Sequence, residues 1–275
     1  MSDSRFSRLD PARISESPQL ADIRHYESLG STQDTALELL AAGDFELPML
    51  IVADRQTSGR GRGSNRWQAE QGSLTFSLAV PAATSGESST VDPRVSLAAA
   101  SAVCHVVADL APGIACGIKW PNDVFIVGRK ACGILVESPT AESPRPVAVV
   151  GVGLNVNNEV VAFKGELADS AMSLCDATGR KFDLTDVLLR LVQTFAVECE
   201  ELNRNARQAS SRWQSFDLLA GRTVSIRQGS RSIVGVCQGV ASTGELRVRT
   251  EAGDQRIASG EVVAIDPPLS RTVSS

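Results

Sequence analysis

The segment between Asp54 and Trp67 holds the residue types in this sequence that are best suited to binding an anion. It is rich in glycine and carries four arginines against one acidic residue, a local charge of +3 in a chain of formal net charge -5: Arg55, Arg60, Arg62 and Arg66. Alternating glycines let backbone N–H groups approach an oxyanion, and each guanidinium adds a planar set of donors for phosphate or carboxylate. The pattern predicts a loop that binds a polyphosphate or an acyl phosphate. A flexible linker that touches RNA is the alternative, which the position between two predicted strands disfavours.

A lysine-containing stretch, 119–123, ends a predicted apolar strand with a cation, an aromatic ring and two polar side chains. Pro-Asn-Asp is ordinary turn chemistry, so this stretch alone favours a structural turn. Lys130 follows at the start of the next predicted strand, after a hairpin turn at Gly128-Arg129, and an ammonium placed there can reach a phosphate. A solvated lysine on the hairpin is the alternative for Lys130.

Two further stretches give weaker signals. Ser31 and Thr32 begin a predicted helix, where hydroxyls most often act as caps and free N–H groups can also meet a ligand. Gly151 and Gly153 lie two apart on a predicted strand, so both fall on one face and leave space for a ligand or another backbone. The six cysteines are dispersed without a C-x-x-C pair and only two histidines could join them, so neither a structural zinc site nor a Ser-His-Asp or Cys-His nucleophile is expected.

Hydrophobic periodicity assigns the elements that must position these residues. Residues 1–25 are polar and are expected to form a loosely docked N-terminal extension. Helices are predicted from the cap Ser31 to Gly43, from Pro93 to about Leu110 and from Asp183 onward. Apolar runs bounded by turn residues predict the strands Leu50–Ala53, Ser73–Val80, Gly117–Trp120, Val124–Val127, Ala131–Glu137 and Val147–Val156.

The hydrophobic pattern of the sequence changes after Phe216. Five short β-prone runs spaced by glycine-containing turns follow, which predicts a small barrel and a domain boundary near Phe216. Net negative charge disfavours general capture of nucleic acid or an anionic membrane. No secretory signal or apolar run of membrane-spanning length is present, so the sequence predicts a cytoplasmic protein.

Five blocks, taken in this order, closely resemble biotin protein ligases. They are Ser31-Thr32-Gln33-Asp34, Gly59-Arg60-Gly61-Arg62 followed by Trp67, Lys119-Trp120-Pro121-Asn122-Asp123, Arg129-Lys130-Ala131-Cys132-Gly133-Ile134-Leu135 and Gly151-Val152-Gly153-Leu154-Asn155. The resemblance spans about residues 26–266, and Ser259-Gly260-Glu261 is similar to the family's ending.

The resemblance implies an α+β fold in two parts. A catalytic domain like that of class II aminoacyl-tRNA synthetases and biotin ligases, with a mixed or antiparallel sheet packed with helices, would cover 26–216. A small Src-homology-3-like β-barrel would cover 217–268, followed by a tail, 269–275. Residues 1–25 are too few and too polar for the N-terminal DNA-binding domain of some relatives, so we expect the monofunctional form and no repressor role.

The resemblance also implies a reaction in two steps. Biotin is activated by ATP to biotinyl-5′-AMP, with Mg²⁺ accompanying ATP, and a lysine of a biotin carboxyl carrier domain then takes the biotinyl group. Arg60, Arg62 and Lys130 would be catalytic. Biotin would be bound by Ser31, Thr32, Gln33, Gln56, Gly59, Arg60, Lys130, Gly133 and Gly151, and ATP or the adenylate by Arg62, Trp67, Asn122, Asp123, Asn155 and Trp213.

One departure and two alternatives accompany this interpretation. Many relatives have a Gly-Arg pair where this chain has Ser64-Asn65, so a charge used to order the adenylate is missing or moved to Arg66. A lipoate or octanoate ligase or transferase of the related fold is the second hypothesis, although it would lack the Gly-Arg-Gly-Arg…Trp loop. An RNA-binding module is the third hypothesis, disfavoured by the near-neutral charge of 217–275.

The expected partners are biotin, ATP and the carrier domain, not nucleic acid or membrane, and the chain would be a monomer or homodimer.

Overall fold

A computed structural model describes residues 4–82, 92–139, 146–160 and 170–269. The helices are a 3-10 turn Ser4–Phe6, α1 Pro11–Ser15, α2 Thr32–Ala42, α3 Arg94–Leu110, α4 Leu174–Thr178, α5 Leu184–Arg204 and α6 Ala206–Gln214. The first seven strands are β1 Asp22–Tyr26, β2 Met49–Ala53, β3 Ser73–Pro81, β4 Cys116–Lys119, β5 Asp123–Ile126, β6 Arg129–Glu137 and β7 Val147–Asn155. The last five are β8 Thr223–Gln228, β9 Arg231–Val240, β10 Leu246–Thr250, β11 Gly253–Ile257 and β12 Glu261–Asp266.

The first seven strands form one mixed sheet in the order β1-β2-β3-β7-β6-β5-β4. β1 runs parallel to β2, and the other neighbouring pairs are antiparallel. The hairpin between β5 and β6 turns through Val127 and Gly128, which have φ of 50° and 72°. Positive φ at both central residues matches the right-handed twist of the strands, and the turn places Lys130 second in β6.

Helices cover both faces of this sheet, which explains why β2 is an unbroken apolar run. Leu50 and Val52 point to a large core that also contains α3 and α5, whereas Met49 and Ile51 point to a second layer under α2. The side-chain period of two in a strand separates the two sets. α5 follows the predicted 3.6-residue period: its buried positions include Leu184, Val187, Leu188, Leu191 and Phe195.

The described part of the N-terminal segment, from residue 4 on, is docked in the fold, which corrects the expectation of a loose extension there. Ile14 is fully buried, and the backbone N–H of Asp10 donates to Thr185 Oγ1 at 2.9 Å. Arg13 pairs with Asp183 at 2.8 Å, and β1 adds an edge strand to the sheet. The sequence did not predict this packing, because the contacts come from isolated residues and from main-chain atoms rather than from a periodic apolar face.

The last five strands form a separate antiparallel sheet in the order β11-β10-β9-β8-β12. They match the five predicted strands, but β11 and β12 lie at opposite ends of the order, so the ladder does not close into a barrel. The joint to the first sheet is short. Ile118 on β4 donates its N–H to Phe216 O and accepts one from Leu218 N, and Trp120 Nε1 donates to Gly244 O at 3.0 Å.

Two further expectations from the sequence concern the C-terminal tail and membrane-spanning helices. The predicted tail, 269–275, lies outside the described residues apart from Leu269. Across the described ranges, none of the helices combines the length and apolar character that crossing a bilayer requires.

Candidate functional site

A pocket of about 610 Å³ opens between the two sheets. The glycine-rich loop forms one wall, β6 and β7 of the first sheet form the floor, and β8 and the start of β12 close the far side. Twelve of the residues predicted for the site line this pocket: Ser31, Thr32, Gln33, Gln56, Arg60, Arg62, Trp67, Asn122, Asp123, Lys130, Gly133 and Gly151.

The start of α2 makes a polar end to the pocket. Ser31 is the N-cap of α2, with extended backbone and its hydroxyl facing the N–H of Asp34 at 3.5 Å. The next two side chains, Thr32 and Gln33, are buried beneath it. Ser77 Oγ on β3 lies 2.9 Å from Thr32 Oγ1 and 3.0 Å from Gln33 Oε1. The end of the pocket therefore has hydroxyl and amide groups that are already held in place by one another.

Gln56 begins the glycine-rich loop and fixes it to α2. Its Oε1 accepts the backbone N–H of Thr32 at 2.7 Å. The loop then folds back on itself, because Gly61 N donates to Asn65 O and Trp67 N donates to Gly59 O. A Cβ on Gly59 would lie 2.4 Å from Trp67 O, so only glycine fits there. The loop is thus a defined turn, and three of its four arginines, Arg60, Arg62 and Arg66, line the pocket.

Trp67 lies flat against the floor of the pocket. A Cβ on Gly153 would lie 2.3 Å from Trp67 Cε2, and one on Gly133 would lie 3.5 Å from Trp67 Cζ3. The space that the glycines of β7 were expected to leave for a ligand or another backbone is thus filled by side chains. Gly151 makes room in the same way for Gln33, whose Oε1 would be 2.5 Å from a Cβ.

The two arginines of the loop that were predicted to be catalytic have different partners. Arg60 pairs with Asp34 at 2.7 Å and with Glu137 at 2.8 Å, which ties the loop to α2 and to the end of β6. Arg62 reaches the other sheet, where its guanidinium donates to Gly260 O at 2.7 Å. Both arginines line the pocket, and so does Arg66 of the same loop, so the loop supplies three cations along it.

The hairpin of β5 and β6 supplies the third predicted cation. Lys130 Nζ lies 2.7 Å from Asp123 Oδ1, and its side chain is 41% exposed, so the ammonium faces the open pocket. Asn122 is held by its backbone and side chain together, because its Nδ2 donates to Ile134 O and its own carbonyl accepts from Ile134 N. The Pro-Asn-Asp turn is therefore structural and also lines the pocket.

Three residues predicted for the site are not brought into the pocket lining. Gly59 is buried inside the loop. Asn155 is 3% exposed, and its Oδ1 accepts from Asn158 Nδ2 beyond the end of β7. Trp213 is 1% exposed on α6, where it packs in the hydrophobic core. The sequence could not show that Asn155 and Trp213 lie outside the pocket lining, because a motif gives no direction to a side chain.

The structure adds residues to which the sequence assigned no role in the site. Ser77 gave no signal because it occupies an ordinary strand position. Lys119 lines the pocket, and burial lowers the pKa of its ammonium. Arg227 and Glu261, which form an ion pair on the five-stranded sheet, face the loop across the pocket. The family-like ending at Ser259-Gly260-Glu261 was the one signal that could have pointed to that side.

Comparison with known proteins agrees with this geometry. The family model for the Biotin/lipoate A/B protein ligase family matches residues 26–155, and the model for the Biotin protein ligase C terminal domain matches residues 220–264. The curated Bifunctional ligase/repressor BirA of Bacillus subtilis (strain 168) is 32% identical over 244 residues, which cover 86% of this chain and 72% of that protein. The Biotin--[acetyl-CoA-carboxylase] ligase of Mycobacterium tuberculosis is 30% identical over 85% of each chain.

A solved structure shows the same arrangement of the two sheets. The biotin protein ligase of Aquifex aeolicus in complex with biotin and ATP has a TM-score of 0.76 and 26% identity, covering 90% of this chain and 99% of its own. The similarity spans both parts of the pocket, and two curated relatives share at least 30% identity over most of both lengths. This chain belongs to the biotin protein ligase family.

Proposed function

We propose that this chain is a ligase that uses ATP to convert biotin to biotinyl-5′-AMP and then transfers biotin to a lysine of a biotin carboxyl carrier domain. The observation that carries the proposal is the pocket itself. It presents buried hydroxyl and amide groups from α2 and Gln56, and it also presents the cations Arg60, Arg62 and Lys130. A neutral polar head and a negatively charged acyl phosphate would fit these two sets of groups.

The proposed chemistry follows from the charges of the site. Attack of the biotin carboxylate on the α-phosphate of ATP forms a carboxyl–phosphate bond and releases pyrophosphate. Fixed guanidinium and ammonium groups stabilise the negative charge that develops on the phosphate oxygens, since they are held before the reaction by their partners. We assign Arg60 and Lys130 to the junction of carboxylate and phosphate, and Arg62 to the phosphate. The carrier lysine then attacks the acyl carbon and AMP leaves.

We assign the polar end to biotin and the rest of the pocket to ATP. Ser31, Thr32 and Gln56 would contact the ureido and carboxylate regions, with Gln33, Gly133 and Gly151 shaping the wall. Trp67, Asn122 and Asp123 would contact the adenylate. Gly59, Asn155 and Trp213 would act from behind the lining, through the loop, the end of β7 and the packing of α6.

Mg²⁺ is assigned to ATP rather than to the protein. The described residues contain no group of three or more His, Cys, Asp or Glu side chains able to hold a metal. The lining supplies only two carboxylates, Asp123 and Glu261, and each already pairs with a cation. Such a site fits Mg²⁺, which is six-coordinate and can keep phosphate oxygens and water as its main ligands. The bound ion would neutralise negative charge on the phosphates of ATP.

The proposal also covers the domain boundary, the cellular location and the oligomeric state. We place the domain boundary near Phe216, where the chain leaves α6 and pairs with β4. We also propose that the five-stranded sheet is an open form of an Src-homology-3-like barrel, since its ladder does not close. We also propose that the protein acts in the cytoplasm, as a monomer or homodimer, on a carboxylase carrier domain. The match of residues 220–264 to a biotin ligase C-terminal domain supports biotin over lipoate or octanoate.

The test is pyrophosphate release from ATP with Mg²⁺, measured with biotin, octanoate, lipoate or no acid, with and without a biotin carrier domain. We expect release only with biotin and label on a carrier lysine. A response to octanoate or lipoate would move the chain to the neighbouring activity. No response to any acid would overturn the proposal.

A further inference from the structure

A chain of buried polar groups runs behind the polar end of the pocket. Gln33 Nε2 lies 3.2 Å from the carbonyl oxygen of Val149, and Gln33 Oε1 lies 3.0 Å from Ser77 Oγ. Ser77 Oγ lies in turn 2.9 Å from Thr32 Oγ1. Ser77 is fully buried, and the two side chains from α2 are at most 4% exposed. These side chains are almost completely shielded from solvent, so the direction of each hydrogen bond follows from donor and acceptor chemistry.

The carbonyl of Val149 fixes the first direction. A carbonyl only accepts, so the amide of Gln33 must turn its NH₂ toward Val149 and its Oε1 toward Ser77. Oε1 also only accepts, and therefore Ser77 donates its single hydroxyl proton to Gln33. Ser77 has no second proton for Thr32. The contact between the two hydroxyls consequently needs the Thr32 proton, which is donated to Ser77.

The pocket side of Thr32 is then left with lone pairs alone. Its neighbour Gln56 is fixed in the opposite sense, because Gln56 Oε1 accepts the N–H of Thr32 at 2.7 Å and only Nε2 remains to face a ligand. We propose that Ser77 and Gln33 are positioning residues that make Thr32 an obligate acceptor beside the Gln56 donor, so that the site selects a ligand with an N–H next to a C=O. This inference rests on the proposed function and deepens it.

A cyclic urea matches this pair of groups. One ring N–H would donate to Thr32 while the ring carbonyl accepts from Gln56. A straight acyl chain or a dithiolane ring has no N–H, so its binding would leave the Thr32 acceptor buried without a partner. A site built around a hydrogen bond rejects analogues that lack it much more strongly than an apolar site rejects a change of size. The relay therefore explains selection of biotin over octanoate or lipoate by chemistry rather than by volume.

The test measures binding of biotin and of two carbamate analogues, in which each ureido N–H in turn is replaced by a ring oxygen, by calorimetry with the full chain. The wild type is expected to bind biotin at least about tenfold more tightly than one of the two analogues, as expected for losing one buried hydrogen bond. In Ser77→Ala the Thr32 hydroxyl has no acceptor behind it, so it can turn and donate to the ring oxygen. The preference should then fall to about twofold or less, since the lost pairing is restored.

The ratio of affinities separates the relay from a structural role. A merely structural effect of Ser77→Ala would weaken all three ligands by a common factor and leave their ratio unchanged, which would overturn the inference. Gln33→Met removes the other acceptor of the relay and should lower the preference for biotin over the carbamate in the same way. It serves as the test variant if Ser77→Ala does not fold.

Thr75→Ala is the matched control, because Thr75 is also a buried hydroxyl on β3 but donates to Ala53 O, outside the relay. It should keep the wild-type ratio, and a loss of preference here too would contradict the assignment. A wild type that binds biotin without discriminating against either carbamate overturns the inference and leaves the proposed function standing. A wild type that binds neither biotin nor the carbamates overturns both the inference and the proposed function.

Discussion

The guanidinium of Arg62 donates a hydrogen bond of 2.7 Å to the carbonyl oxygen of Gly260, which joins the glycine-rich loop to the five-stranded sheet across the pocket. Residues 198 positions apart in the chain thus close one side of the site. The contact is exposed and involves a single donor, so it is weak enough to exchange for an anion. A phosphate in the pocket would replace a neutral acceptor with a charged one, for which Arg62 forms a stronger bond.

The first prediction concerns this exchange. Arg62→Ala should lower kcat/KM for biotin-dependent pyrophosphate release by about 10²–10³-fold, the usual effect of losing one fixed donor to developing charge. The free energy of unfolding should change by less than about 1 kcal/mol, because the bond to Gly260 is exposed. Arg55→Ala is the control, since Arg55 belongs to the same loop, is exposed and does not line the pocket. Equal losses in both variants would argue against a specific role for Arg62.

The second prediction separates chemistry from stability at Lys130. Lys130→Ala removes the ammonium that lies 2.7 Å from Asp123, and we expect adenylation to fall by about 10²–10³-fold. The pair is partly exposed, so unfolding in urea should shift by no more than about 1 kcal/mol. Lys181→Ala removes an exposed lysine outside the lining and should change neither measurement. If Lys130→Ala unfolds the protein instead, its role is structural.

The third prediction concerns the floor of the pocket. Gly153→Ala would place a Cβ 2.3 Å from the indole of Trp67, with strand backbone on one side and a partly buried ring on the other. Overpacking of this kind typically lowers the free energy of unfolding by about 1–3 kcal/mol, which denaturant unfolding measures. Displacement of the ring should also weaken binding of the adenylate.

A second substitution can test the cause of that loss. Trp67→Leu combined with Gly153→Ala removes the clash, so the double variant should be more stable than the sum of the two single changes predicts. Simple additivity would mean that the ring and the added methyl do not meet.

The sequence predicted the elements wherever a buried face imposes a period. β2, β3, α3 and α5 lie close to their predicted positions because their apolar residues recur at spacings of one, two or 3.6. The docking of residues 4–26 was missed because it depends on Ile14, on one edge strand and on main-chain bonds, which leave no periodic trace.

The site was predictable as a set of motifs but not as a network. Twelve predicted residues line the pocket because loops at neighbouring strand ends converge. No sequence signal pointed to Ser77, since its place in the site depends on contacts to α2 residues that lie 44 or 45 positions away in the chain. Asn155 shows the reverse case: its motif pointed to the site, whereas the backbone turns its side chain toward Asn158.

The last prediction concerns the pH dependence of stability and begins from the environment of Lys119. Burial lowers the pKa of this ammonium below its ordinary value of 10.5, against the attraction of Asp123. Between the lowered pKa of the folded protein and 10.5, the unfolded chain binds a proton that the folded chain has released. The free energy of unfolding contributed by this group therefore rises with pH through that window. In Lys119→Met this contribution is absent, and the slope of stability against pH should be smaller there.

Lys119→Met should also be more stable than the wild type at pH 7, where the wild type carries the full cost of the buried charge. It should at the same time bind ATP more weakly, since a cation is lost from the pocket lining. Urea unfolding between pH 7 and pH 10.5, together with ATP titration at pH 7, measures both effects. Lys181→Met, an exposed lysine, should leave the slope unchanged. An unaltered slope in Lys119→Met would mean that solvent reaches this ammonium, and that the charge lies in the pocket without a cost to folding.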